Sequence, residues 1–535
     1  LKIKIGLLII SLFIALIICS TASATEIINK NSNGKLPNGD SSPGSMSSDG
    51  RFVVFSSEAT NLVAGDTNNM ADLFLKDKYT NKTTRISLTK TGKQITTGTD
   101  STGVISANGN YIVICSNGNL GWSNSTRSLY QLYLYNRVTK SLELISKESN
   151  GTAMKYGGRY PSISADGRYV AFVTDCIVRD TTYNANINNV FVYDRFKNET
   201  QNLSIDIKSN NRYNDNGYGA SVPSISDNGR YIAFNYFSGS LGKLFIYDRQ
   251  TNTTRSILGI NNQTPNGDLL WPKISGNGRY VTFYSKASNL DPRDTNIRED
   301  VYITDLSQPT LHAKLVSVST TNGVGNGRSY LPSISYNGRY VAFLSGATNL
   351  AANIGNRDTN FFEDVFVRDM ILNKTIMESL SSNGNVGNGY CVLSGISYTG
   401  KYVLFGSNST NLVNGTNNGR YNGFVNLVDF QAPIITSKNP KSNSTGYSKN
   451  SAIYIKFNEN IRGTSYFNHI KIKDLTTGKY IPIIKTTSGS LMILKTKSAR
   501  IKNHTYQVYI PSKAVQDYLN NNLQLAYTFK FKSGG

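Results

Sequence analysis

The chain has 535 residues, 39% of them hydrophobic and 17% charged, with a formal net charge of +22. It is too long for one ordinary domain and apolar enough to bury a core. Long helical periodicity is absent, and short apolar runs bounded by Asn, Gly, Asp and Ser exclude a helical bundle and read as all-β.

The chain opens on a processing signature. Lys2 and Lys4 precede an apolar run from Ile5 to Ile18, followed by Ala22-Ser23-Ala24. This pattern predicts a secretory signal peptide over residues 1–24, cleaved after Ala24. An uncleaved anchor and a lipid-bearing Cys19 are the two membrane-attached alternatives, although Ile18 stands where a lipid site wants a small residue. Cys115, Cys176 and Cys391 then remain, an odd number at wide spacing that makes no disulfide framework.

From residue 25 to 430 one unit repeats. "PSISADGRYVAF" at 161 returns as "PSISDNGRYIAF" at 223, "PKISGNGRYVTF" at 272 and "PSISYNGRYVAF" at 332. The turn glycines Gly50, Gly109, Gly167, Gly229, Gly278, Gly338 and Gly400 lie 49 to 62 residues apart. Each repeat reads as a strand ending in Ser, an Asx-Gly turn, a "RYVAF" strand, a variable loop, a "DVFVRD"-type strand and a short closing strand. Asx-Gly supplies the positive φ angles of a tight hairpin. Tyr169 and Ala171 point to one face of their sheet, Val170 and Phe172 to the other. Both faces are apolar, so each sheet needs two neighbours.

Four strands repeated seven times is the arithmetic of a seven-bladed β-propeller. The seventh repeat lacks a fourth strand, since "GFVNLVDF" runs directly into "QAPIIT". "TEIINKNSNGK" at 25–35 matches the missing pattern, so residues 25–30 are expected to pair with the last sheet and close the ring. The repeat resembles the TolB-type, WD-repeat-like propeller of secreted prokaryotic proteins over residues 26–430. Repeats two and seven depart from it at Asn110 and at Thr399-Gly400-Lys401.

Residues 432–535 change texture. Alternation in "AIYIKF", then "NENI", Thr505-Tyr506, Ile510-Pro511 and a final "AYTFKF" resemble the bacterial Ig-like domain of surface-layer and adhesin-type proteins. About 100 residues of short alternating strands predict a small β-sandwich. "SKAVQDYLNN" is expected to make one helical turn before the last strand.

In such a ring the turns between strands one and two and between three and four share one rim and are short. The loops between two and three and between four and one share the other rim and are long. Long loops on a rigid scaffold favour binding. Candidate ligand contacts there are Tyr156, Arg159, Tyr160, Tyr218, Trp271, Arg328, Tyr330 and Tyr390, since aromatic and guanidinium groups suit sugar rings and anionic polymers. The sequons at Asn81, Asn198, Asn252 and Asn373 fall on the opposite rim, where Asn also suits a turn.

Three loops carry Asp66…Asp72, Asp294…Asp300 and Asp358…Asp364, each opening on Asp-Thr-Asn. Their oxygens suit Ca²⁺, although a turn cap followed by a strand start at Asp72, Asp300 and Asp364 is the first reading. No other cofactor is expected. The three histidines, His312, His469 and His504, offer no triad or zinc site in the repeats. The expected function is a non-catalytic exported binding protein, secreted or at the cell surface. Its partner is an envelope glycan, an anionic wall polymer or a surface protein. No nucleic acid is expected, and membrane contact only through an uncleaved signal or a lipid. A polysaccharide-active hydrolase or lyase using channel carboxylates, and a purely structural envelope component, are the alternatives.

Overall fold

A computed structural model describes residues 25–96, 99–122, 130–148, 151–155, 157–174, 189–203, 222–238, 241–351, 353–354, 358–360, 362–381, 384–413, 419–517 and 521–535. The expected signal peptide and Cys176 lie outside them. The chain is all-β, and two compact units meet in sequence between Phe430 and Gln431.

In the first unit the described residues form seven four-stranded antiparallel sheets. The first sheet comprises Ser41–Met46, Phe52–Ser57, Asp72–Asp77 and Lys82–Arg85. The second to sixth follow in order over 99–144, 159–202, 224–256, 269–315 and 329–377. The seventh takes Cys391–Ile396, Tyr402–Ser407 and Asn422–Leu427, and its fourth strand comes from the other end of the unit. Glu26–Ile27 pairs antiparallel with Asn422–Leu427, Glu26 opposite Val425 and Ile27 opposite Phe424.

The serine, Asx, glycine, arginine and aromatic positions of the repeated S-x-[DN]-G-R-Y segment have mechanical roles. The serine that ends each first strand is buried, and its hydroxyl accepts the N–H of the aromatic residue five positions on. In the first six sheets it also donates to the Asx side chain of the turn. The arginine then reaches across to the aspartate that ends the third strand. Arg51–Asp77, Arg168–Asp194, Arg230–Asp248, Arg279–Asp305 and Arg339–Asp369 are five copies of this pair. In the second sheet the direction reverses, and Arg137 donates to Asn110 Oδ1 at 3.1 Å.

The aromatic residue links sheets. The turn glycine of each sheet leaves room for the aromatic ring of the sheet before it. Gly109 lies against Phe52, Gly167 against Tyr111, Gly229 against Tyr169, Gly278 against Tyr231, Gly338 against Tyr280 and Gly400 against Tyr340. The series returns to its start, because Gly50 lies against Tyr402, where a Cβ would come within 2.6 Å of the ring. The first strands touch one another in the same cyclic order.

Seven apolar clusters fill the gaps between successive sheets. Val170 and Phe172 pack with Val113 and Leu132 of the second sheet, while Ala171 and Val173 pack with Ile232 and Phe234 of the fourth. The N-terminal strand contributes to two gaps: Ile27 packs with Val365 and Val367, and Ile28 with Val53 and Phe55.

The second unit is a β-sandwich. Ile435–Asn439, Ile453–Phe457, Leu491–Thr496 and Ile483–Ser488 form one sheet. Tyr480–Ile481, Lys471–Asp474, Thr505–Ile510 and Tyr527–Lys532 form the other. Ile453, Ile455, Phe457, Ile472, Val508 and Phe529 fill the space between them. Among the described residues of the segment 512–521 no helical turn forms: Val515–Gln516 is a short strand paired with Arg462–Gly463. Asp517 caps this segment, accepting the N–H of Asn521 at 2.7 Å, which competes with helical bonding.

Candidate binding rim

The first strands carry a repeated irregularity. Their pairing with the second strand slips at 159/162, 270/273 and 330/333, and the residue before the proline at each slip has positive φ: Tyr160 (51°), Trp271 (55°) and Leu331 (49°). A bulky residue in that region is strained and needs a structure that holds it there. The bulge turns Tyr160 and Trp271 outward, at 38% and 36% exposure. Tyr156 and Tyr218 lie outside the described residues.

The other predicted contacts have partners. The Arg159 guanidinium lies 4.6 Å over the Tyr130 ring. Arg328 is ion-paired with Glu363 and lies 5.0 Å over Tyr330. Tyr330 meets Tyr284 edge-on at 6.3 Å, and Tyr390 meets Phe362 at 4.4 Å. Arg328, Tyr330 and Tyr390 therefore belong to one run with Tyr284, Phe362 and Glu363, spanning the fifth to seventh sheets. Arg159, Tyr160 and Trp271 stand on the third and fifth sheets. The run continues to Tyr421, whose backbone N–H donates to Asp40 at 3.1 Å beside a cleft of about 270 Å³ lined by Ser42, Pro43, Glu58 and Val392. Tyr284, Phe362, Glu363 and Tyr421 were not singled out from sequence: Tyr284 sits inside a second strand where other repeats carry Cys115, Val173 or Leu344, and the other three come just before a third strand, at the end of a loop of variable length.

Further along the first strands, a serine of one strand binds the next. The hydroxyls of Ser45, Ser162, Ser224 and Ser333 accept the N–H groups of Ile105, Ile225, Ile274 and Ile396. Lys273 replaces this serine in the fifth sheet, and desolvation lowers its ammonium pKa. At the short-turn rim backbone bonds run from turn to turn, from Ala165 to Asp227, Asp227 to Gly276 and Tyr336 to Tyr398. The Asp227 carboxyl is pushed up to about 6 by desolvation and its Oδ2 has no hydrogen bond. Tyr336 and Tyr398 stack at 4.2 Å close by.

The three acidic loops are not alike. Asp72, Asp300 and Asp364 each begin a third strand, fully buried, with Oδ1 accepting a hydroxyl from Ser87, Ser317 or Ser379 at 2.5, 2.6 and 2.6 Å. In the first sheet Arg85 lies 3.4 Å from Asp66 and 3.5 Å from Asp72, and Gln94 Nε2 donates to both. Among the described residues of the fifth and sixth sheets, no guanidinium is paired with both acids. Burial there pushes Asp300 and Asp364 up to about 7. His312 stands on the side of a fourth strand, and His504 pairs with Asp474 in the sandwich.

Residues 429–533 match the family model of the bacterial Ig-like domain, so the chain ends in such a domain. Comparison with curated proteins gives no match. TolB proteins and other β-propellers are among the structural neighbours. TolB from Acinetobacter baumannii is 12% identical over 63% of this chain and 62% of its own, with a TM-score of 0.35. This chain thus spans less than two thirds of that TolB. An oligogalacturonate lyase from Vibrio parahaemolyticus is 10% identical over 77% and 92%, with a TM-score of 0.44. The β-propeller domain of the trilobed protease from Pyrococcus furiosus is 9% identical over 74% and 99%, with a TM-score of 0.43.

Proposed function

We propose that residues 25–430 form a seven-bladed β-propeller serving as the binding head of an exported, non-catalytic protein, secreted or held at the cell surface. Its long-loop rim takes a glycan, an anionic wall polymer or a surface protein, and the Ig-like domain carries the head. The observation that carries this reading is the run Tyr284–Tyr330–Arg328–Glu363, continued by Phe362 and Tyr390. Flat apolar rings interleaved with fixed charges suit sugar faces and their hydroxyls. The test is a glycan and wall-polymer binding screen on the full chain, with Tyr330→Ala and Tyr390→Ala as controls. Glycan binding without product release, weakened at least tenfold by either change, is expected. Binding that neither change affects would move the site elsewhere.

One observation favours the polysaccharide-active alternative. The buried Asp227 Oδ2 has no hydrogen bond and desolvation raises this carboxyl to about 6, which suits a general acid. Release of shortened oligosaccharides, lost in Asp227→Asn, would replace the binding reading with this one.

A further inference from the structure

The third-strand registers fix which residues correspond between sheets. Arg85 lies opposite Phe74, Leu315 opposite Tyr302 and Met377 opposite Phe366, so Leu315 and Met377 occupy the Arg85 position. Residue 94 forms a bridge with Leu88, as Val324 does with Val318 and Val386 with Leu380, so Gln94 corresponds to two valines. At these positions the fifth and sixth sheets thus keep both carboxylates and lose the guanidinium and the amide that face them. The strand-start position is neutral in the second, third and seventh sheets, where Gln131, Asn189 and Asn422 stand opposite Ser116, Thr174 and Ser407.

The uncompensated charge is specific to one atom. In the first sheet Asp72 Oδ2 is the oxygen that faces Arg85 and Gln94. The same oxygen of Asp300 and of Asp364, in residues 0% exposed, has no hydrogen-bond partner. Asp294 and Asp358, each 5% exposed, are the nearby second carboxylates. Among the described cations of these two sheets, Arg293 holds Asp291 at 2.9 and 2.7 Å, Lys286 holds Glu299 at 3.2 Å, Arg328 holds Glu363, and Arg298 is exposed. The Asn296 and Asn360 amide nitrogens donate to the Gly325 and Gly387 carbonyls and also stabilise the Asp300 and Asp364 carboxylates from nearby, but an amide brings no counter-charge. Burying two carboxylates with no counter-charge is costly, and the cost is removed by a cation at the place the guanidinium holds in the first sheet.

We propose that the propeller-like unit holds two Ca²⁺ ions, one between Asp294 and Asp300 and one between Asp358 and Asp364. Oxygen donors on irregular loops select a hard, geometrically tolerant cation. Each ion ties the loop between the second and third strands to the start of the third strand. These are long-rim loops, and the sixth-sheet loop also carries Phe362 and Glu363.

The test is calorimetric titration of chelator-treated full chain with CaCl₂, with thermal melting alongside. Two ions per chain are expected, with a higher Tm that EDTA reverses. Asp300→Asn and Asp364→Asn should each remove one ion, and the double variant both. These changes install the amide that other sheets carry, so folding should survive. Met377→Arg, which restores the first-sheet arrangement, should also remove one. Tb³⁺ provides a second readout: Tyr302, bonded to Asp294, should sensitise its emission, and Tyr302→Phe should remove that emission while Ca²⁺ stoichiometry stays at two. No Ca²⁺-dependent heat or Tm change in the wild-type chain overturns the proposal, as does unchanged stoichiometry in the double variant.

Discussion

The glycine of the repeated turn carries two separable costs, one of backbone and one of packing. Gly278 has φ of 72°, and a Cβ there would come within 2.8 Å of Tyr231, whereas Gly65 has φ of 71° with nothing within 4 Å of a Cβ. Gly65→Ala should cost about 1 kcal/mol, the left-handed backbone penalty alone. Gly278→Ala should cost about 2–4 kcal/mol, because overpacking adds to it. Denaturant melts of the two variants measure the difference, and equal losses would mean that the ring contact contributes nothing. Asp227 makes a second prediction, with an unusual sign. Its carboxyl is raised to about 6, above the ordinary unfolded value near 4. Between those values the folded state binds more proton than the unfolded state, so stability falls as pH rises from about 4 to about 6 and stays lower above. Asp227→Asn should remove that slope and gain about 1–2 kcal/mol at pH 7, allowing for partial exposure. Unfolding free energies at pH 4.5 and 7 would show no change in slope if the carboxyl titrates normally.

At the scale of strands, the N-terminal segment carries the largest consequence for its length. Ile27 and Ile28 are 4% and 0% exposed and fill two different gaps, while the Asn29 side chain holds Asn422 at 3.0 Å. Removing residues 25–31 should abolish cooperative unfolding of the 24–430 unit, and Ile28→Ala alone should cost about 2–5 kcal/mol by chemical denaturation. A truncated chain that melts like the intact one would show that the seventh sheet needs no fourth strand. This strand was legible in the sequence because its residues copy the fourth-strand pattern of other repeats. The strand order was legible for the same reason, since Asx-Gly turns and alternating apolar pairs recur with little change. The bulges at Tyr160 and Trp271 were not legible. A proline after a bulky residue marks extended backbone, and nothing in that pair announces positive φ. The short strand at Val515–Gln516 was missed because Ala-Val-Gln-Asp-Tyr-Leu has helical composition, which the Asp517 turn and the pairing with Arg462 override.

At the scale of the whole chain, the rim residues were legible one at a time but not as a group. Tyr330, Arg328 and Tyr390 stand out in sequence, whereas Glu363, which holds Arg328, is brought in from a loop of no fixed length. This pairing bears on how the protein would hold a partner. The net charge of +22 is a property of the whole surface, yet the aromatic run keeps its own arginine neutralised by Glu363. Two kinds of attraction are therefore separable. Long-range attraction to an anionic wall polymer depends on the surface charge and is screened as the Debye length falls from about 10 Å at 0.1 M salt to about 3 Å at 1 M. Stacking of a sugar face on Tyr330 and Tyr390 is short-ranged and nearly independent of salt. Retention on isolated anionic wall material should fall more than tenfold across that salt range, in the wild-type chain and in Tyr330→Ala alike. Binding to a neutral glycan should instead survive 1 M salt and be lost in Tyr330→Ala. Co-sedimentation at the two salt concentrations measures both. Salt-resistant retention that Tyr330→Ala abolishes would assign the wall contact to the rim, and salt-sensitive glycan binding would remove the rim's aromatic run from the mechanism.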